Sequence, residues 1–491
     1  MSTATELQRI IDSKAAIKTA IEGKGITVGT GTIDTYAAKI DEITTGSAGW
    51  TPPADWQDIT STVTNEVKLL VADTNLTYAF NVVTNSGTWS VDWGDGTSTN
   101  GITSNTVTQH TYTRGAGVAC SRGYTTFVIS IKSDTGNVTA FNVRQHNKLT
   151  VRQQHDILWA NISKLTNLTT CANMFYDATG NDVYCTQLES VILPTTWGSV
   201  TSCANMFYGC YGLHNFNLPV SWGSVTNLGG MFQLCYSLQN INLPTSWGSV
   251  TNLANMFTSC ESLEHITLPS SWGLVSSAPS LFYNCHTLHN VTLPATWGRV
   301  NSATYMFGNC YSLQNVILPN SWGVMVGPGF MFEGCLSLQT AILPTAFANT
   351  MTLPYYMFNG CNSVQYNEGM QYLGSLTQQA NFESAFASTQ NIEGTLSFNS
   401  LMSKFRYGGT AGNLNLITGI RLTNPGSLFA GTSPQIDVSY NNLNAAAIAA
   451  LFNDLPTLTG KTIRITGCLG AADTSNDAIA TGKGWTINRA S

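Results

Sequence analysis

The sequence predicts a multidomain, mainly β protein: a short helical segment, a small β-sandwich, a long solenoid and an α/β cap. Three observations carry this. Pro194, Pro219, Pro244, Pro269, Pro294, Pro319 and Pro344 recur every 25 residues, with Trp-Gly, Phe and Cys columns in the same register. Between residues 64 and 136, short runs such as TYAFNVV and TTFVISIKS alternate apolar and polar residues and are separated by turn formers, the pattern of half-buried strands. At the N-terminus, Leu7, Ile10, Ile11, Ile17 and Ile21 fall near helical spacing.

The helical segment, residues 1–45, holds two helices around the turn-rich GKGITVGTGT. Two short helices bury little by themselves, so a partner or self-association is expected. The stretch AIKTAIEGKGITVGTGTIDTYAAKIDEI resembles the N-terminal segment of many tailed-phage tail and fibre proteins. That resemblance implies an anchor to other virion proteins. Residues 46–62 read as a linker, with Trp50 and Trp56 tacking it onto the next domain.

The sandwich is expected over 63–138. Its Val91-Asp92-Trp93-Gly94-Asp95-Gly96-Thr97 turn and His110-Thr111-Tyr112 strand resemble the polycystin-type (PKD) immunoglobulin-like domain, which implies a spacer. Gly94 and Gly96 supply the positive φ of a tight turn. Asp92 and Asp95 read as turn caps rather than calcium ligands, since calcium needs six or more oxygens.

The solenoid is expected over 139–435, with clear repeats over 188–361 and degenerate ones outside, including echoes at Phe386 and Phe429. The unit reads L-x-x-[VIF]-x-L-P-x-x-W-G-x-V, then M-F-x-x-C-x-S-L. The first part is a strand with its apolar residues inward. The rest is a return path of turns and a short helix or 3₁₀ segment. A rung buries its apolar residues only by stacking on its neighbours. The repeat resembles the BspA-like leucine-rich repeat of bacterial surface and phage proteins, so the fold is expected to be a leucine-rich-repeat-type solenoid. Seven extra residues between Phe175 and Cys185 imply an inserted loop. The cap, 436–491, begins with Ile436–Leu443, which matches the leucine-rich pattern LxLxxNxL, where the Asn bonds turn backbone. A helix N-capped by Asn444 comes next, then strands in KTIRITG and KGWTI.

Composition narrows function. Charged residues make up 10% of the 491 residues, and the net charge is −6, against a usual charged fraction of about a quarter. No basic patch offers counterion release, so nucleic acid is not an expected partner. No apolar run approaches the ~20 residues of a membrane span. The N-terminus lacks a basic region followed by an apolar one, so the chain is expected to fold in a cytoplasm, a route open to virion parts released by lysis.

No constellation for catalysis appears, and no enzyme, cofactor or metal site is expected. The one-per-rung cysteines read as buried free thiols acting as small hydrophobes. The functional candidate is the outward strand ladder: Asn217, Asn242, Thr267 and Thr292 between inward residues, flanked by His214, Gln239, Glu264, His289 and Gln314 and by Asn215, Asn240, His265, Asn290 and Asn315. Rungs would set these in rows ~4.8 Å apart. Taken together, the resemblances imply a phage virion protein, a tail fibre or appendage adhesin forming a homo-oligomer and recognising a host-surface glycan or protein. The alternatives are a purely architectural fibre or decoration protein and a bacterial surface adhesin.

Overall fold

The computed structural model describes residues 51–144, 153–177, 183–214, 216–295, 297, 300–319, 329–342, 356–361, 363, 380–381, 394–398, 402–406, 417–422 and 435–489. The expected N-terminal helices, Trp50 and the echoes at Phe386 and Phe429 lie outside them.

The alternating runs form a two-sheet sandwich. Its strands are β1 (Glu66–Ala72), β2 (Thr77–Thr84), β3 (Thr88–Asp92), β4 (Ser98–Thr103), β5 (Val107–Thr111), β6 (Val118–Ala119), β7 (Thr125–Ser133) and β8 (Val138–Val143). One sheet runs β1-β7-β3-β4 with β6 on β7, and the other runs β5-β2-β8. Every second residue points inward: Val67, Leu69 and Val71 on β1 face Tyr78, Phe80 and Val82 on β2, all buried. The second sheet thus extends past residue 138, because β8 is one of its strands. Trp56 and Ile59 of the linker pack against Leu70, Ala72, Leu158 and Trp159.

The sandwich does not end at a free edge. Strand β9 (Gln153–Gln154) leads to β10 (Ile157–Asn161), which pairs antiparallel with β1, placing Lys68 opposite Asn161 and Leu70 opposite Trp159. The other sheet passes into the solenoid by single bonds: Val143 N–H donates to Met174 O at 2.9 Å, and Thr169 N–H donates to Thr139 O at 2.9 Å. The predicted insertion is a small hairpin of β11 (Tyr176–Asp177) and β12 (Val183–Tyr184). Strand β13 (Ser190–Ile192) then pairs in parallel with β10. Both sheets therefore hand their hydrogen bonding to the first rungs.

The solenoid strands β14 (His265–Thr267), β15 (Asn290–Thr292), β16 (Asn315–Ile317) and β17 (Thr340–Ile342) form one parallel sheet. On the opposite side, the Met-Phe segments cross-bond from rung to rung: Leu228 N–H to Asn252 O, Gly230 to Ala254, Phe232 to Met256 and Leu234 to Thr258, all at 2.8–3.0 Å. These segments are turns; neither the helix nor the 3₁₀ alternative forms there. The cause is a left-handed residue in every unit: Asn205, Asn255, Ser280, Tyr305 and Phe330 all have φ between 52° and 57°, which ends any right-handed helical run. Glycine succeeds the tryptophan for the same reason, with φ +52° at Gly198 and +55° at Gly223.

A single file of rings runs through the core. Phe80 touches Phe141 and Phe141 touches Phe175, and then Phe207, Phe232, Phe257, Phe282, Phe307, Phe332 and Phe358 continue it at 5.3–5.6 Å. Sandwich and solenoid thus share one hydrophobic core.

The C-terminal strands β18 (Ala380–Asn381), β20 (Met402–Arg406), β22 (Gln435–Asp437), β23 (Lys461–Arg464) and β24 (Trp485–Asn488) form a parallel sheet; β19 (Gly394–Phe398) and β21 (Ile417–Leu422) form a separate pair. Helix α1 (Ala445–Asp454) starts at Asn444, whose side chain accepts the Ala447 N–H at 2.9 Å, as expected. Asn441 is fully buried and donates to Val438 O at 2.8 Å, the role its pattern predicts. A short helix α2 (Asp477–Gly482) precedes β24, and Trp485 closes the end with its indole N–H on Pro456 O at 2.7 Å.

Candidate recognition face

Each rung begins with a leucine that is 0% exposed, such as Leu238, Leu263, Leu288 and Leu313. The next two residues are polar and turn outward. An inward residue comes after them (Ile241, Ile266, Val291, Val316), then one outward residue. From the second of the two polar residues on, period-two alternation in the strand dictates this pattern; the first, such as Glu264, lies just before the strand.

The structure brings the predicted residues onto this one face. Asn217, Gln239, Asn242, Glu264, His265, Thr267, His289, Asn290, Thr292, Gln314 and Asn315 are exposed, while His214 and Asn240 are half-buried. Asn215 lies outside the described residues. The rows are in register: His265 pairs with Asn290 and Asn290 with Asn315, and Thr267 sits beside Thr292. Further along, the outward position turns apolar, with Ile317 at 66% exposure. The rings of His265 and His289 lie 6.1 Å apart.

Sequence reasoning missed two features. The first is a cleft of about 620 Å³ between residues 240–245 and 265–270. Strand β14 is the edge of its sheet, and residues 240–245 form no strand beside it. The two rungs are nevertheless held together just before this stretch and again beyond the Trp-Gly turn that follows it. Glu264 N–H donates to Gln239 O at 3.3 Å, and Ser276 N–H donates to Thr251 O at 2.9 Å. The second feature is an aromatic column just before the strands, with Tyr211 and Tyr236 at 4.8 Å and His286 and Tyr311 at 4.5 Å. Glu261 interrupts it, 4.0 Å from His286. The residue after each repeat cysteine was the available signal.

The cysteines take a more definite role than small hydrophobes. In successive rungs the thiols of Cys235, Cys260, Cys285 and Cys310 donate to the carbonyls of Phe207, Phe232, Phe257 and Phe282 at 3.1–3.2 Å. Burial pushes these thiols well above their ordinary range. They are free and inaccessible.

In the sandwich turn, Asp92 accepts the Gly94 N–H at 3.0 Å. Asp95 accepts the Thr97 N–H at 3.0 Å and meets His110 Nε2 at 2.7 Å. Both aspartates cap the turn. Among the described residues, no group of three or more His, Cys, Asp or Glu is placed to hold a metal ion, and no helix is long and apolar enough to cross a membrane.

The BspA type leucine rich repeat region matches residues 181–306 and 276–407, in six copies. Neither a curated protein nor a solved structure matches the chain.

Proposed function

We propose that this chain is a non-enzymatic recognition protein of a tailed-phage virion, a tail fibre or appendage that presents its solenoid strand face to a host-surface glycan or protein. The observation that carries the reading is the face itself: exposed amides, hydroxyls and imidazoles in register over successive rungs, with Glu264 the one acidic side chain among the predicted residues. A neutral face of fixed spacing binds through hydrogen bonds and shape, and extended solenoid faces are widely used this way. On this reading the sandwich is a PKD-like spacer, the N-terminal helices join other virion proteins, and the chain works as a homo-oligomer.

The test is binding of the purified full-length chain to candidate host cells. Saturable binding, competed by unlabelled chain, supports the reading; no binding to any host grown with the phage refutes it. Particles that still carry the protein after deletion of residues 1–45 would refute the anchoring role. An architectural fibre without a receptor is the second reading. The sheet shared by β10 and β1 favours it, since it stiffens the junction whatever the face does. A bacterial surface adhesin is the third, and the repeat-family match suits it equally.

A further inference from the structure

We infer that the cleft between residues 240–245 and 265–270 is the ligand pocket of the recognition face, and that it takes a compact, uncharged, hydroxyl-rich unit, one or a few sugars of a neutral glycan. The inference rests on the recognition reading above and deepens it.

Size comes first. A cavity of about 620 Å³ lies within the ~300–1,000 Å³ of small-ligand sites. Its chemistry comes next. Ile241, Ile266 and Leu268 supply an apolar floor, and Asn242, His265 and Thr267 supply donors and acceptors at the rim. No Lys, Arg, Asp or Glu lines it. A charged ligand group would lose water there and meet no permanently charged side chain. A sugar ring has the complementary make-up, an apolar C–H face with hydroxyls at its edge.

Shape excludes a through-running peptide. An added strand needs an edge that stays open along its length. Here the rungs are bonded across at Glu264–Gln239, right where the cleft begins, and again beyond it at Ser276–Thr251, so the edge is open over a short stretch only. The next interface has no such gap, because β14 pairs with β15 in full register. Thr267 and Thr292 hold the same repeat position, but only Thr267 lines the cleft.

The full-length chain would be applied to an array of immobilised neutral hexose and N-acetylhexosamine oligosaccharides, sialylated and uronic-acid oligosaccharides, and extended peptides. The expected result is saturable binding to a neutral saccharide. Thr267→Arg should weaken it by about tenfold or more, and Ser224→Arg, in the exposed turn after Trp222 and outside the recognition face, should leave it within about twofold. Both changes place an arginine at an exposed position of the solenoid, so Ser224→Arg controls for the added charge, and an unchanged thermal transition of Thr267→Arg controls for folding. Binding confined to charged saccharides or to peptides overturns the assignment, as does equal loss in both variants. Cell binding without binding to any neutral saccharide overturns the pocket and leaves the recognition reading standing. Absence of cell binding overturns both.

Discussion

Replacing Phe257 with alanine should break the ring file at its middle. Phe257 is 0% exposed, with its ring 5.5 Å from Phe232 and 5.6 Å from Phe282, nearly parallel to both. Truncating a buried Phe to Ala costs about 3–5 kcal/mol through lost transfer energy and the cavity left behind. Each ring pair is worth a further ~0.5–1.5 kcal/mol, so the upper end applies. Relaxation into the cavity is restricted, because the Phe257 N–H stays bonded to Leu281 O at 3.0 Å and its carbonyl still accepts the Cys285 thiol at 3.1 Å. In a solenoid the loss falls on one rung and its two interfaces. Urea unfolding monitored by tryptophan fluorescence reads the total, and hydrogen exchange reads the place. Protection should drop most over 228–238 and 278–288, while β1 and β7 keep theirs. A loss under about 1 kcal/mol, or equal deprotection of the sandwich, would refute a file of rings that acts rung by rung.

Two further predictions concern titration and reactivity. In the native state Cys120 is the half-exposed thiol and the other eleven are buried, so iodoacetamide at about pH 8 should modify Cys120 quickly and the repeat cysteines only after unfolding, as mass spectrometry will show; rapid labelling of Cys260 or Cys285 would contradict the buried ladder. Burial alone raises the carboxyls of Asp73, Asp95 and Asp134, but the hydrogen bonds they accept outweigh it and hold all three below the ordinary aspartate range. Their folded pKa lies below the unfolded one, so the stability they contribute is present above about pH 3.9 and is lost as pH falls through the folded values. Acid titration of circular dichroism should show it, and Asp73→Asn should flatten that loss.

Much of the solenoid was legible because one physical cause acts on every unit. An apolar residue kept in register for stacking reappears each 25 residues, so the Phe and Cys columns, the strand and its outward positions could be read directly. Asn444 and Asn441 were legible because capping and turn bonding need those side chains at those places. The left-handed residues were not. Leu234 and Phe330 disfavour positive φ, and adopt 63° and 56° because rung-to-rung bonds over-determine the backbone. The cleft was equally hidden, since NINLPT and HITLPS differ in nothing that announces a parted ladder. What the repeat unit fixes is a position within a rung; the fit of one rung on the next depends on packing along the whole stack.

The junction shows where that limit matters most. ILWAN at 157–161 is a short, mostly apolar run, and nothing local says that it forms a strand lying antiparallel on β1. That pairing makes the sandwich the N-terminal cap of the solenoid: a stack of rungs exposes an apolar end, and a cap must cover it. Here the cover is made by β1 and β8, by Phe141 against Phe175, and by Arg122, whose guanidinium pairs with Glu189 across the junction. A fragment beginning at residue 150 therefore loses more than a spacer. It leaves β10 as a raw edge and exposes Phe175, Leu165 and Leu168, each at most 1% exposed in the intact chain. Open edges and bare apolar ends invite association. Sedimentation of that fragment should show aggregates, whereas a fragment beginning at residue 51 should remain dispersed and keep the thermal transition of the full chain. A monodisperse, cooperatively folded 150–491 fragment would mean that the solenoid caps itself and that the shared sheet is only a tether.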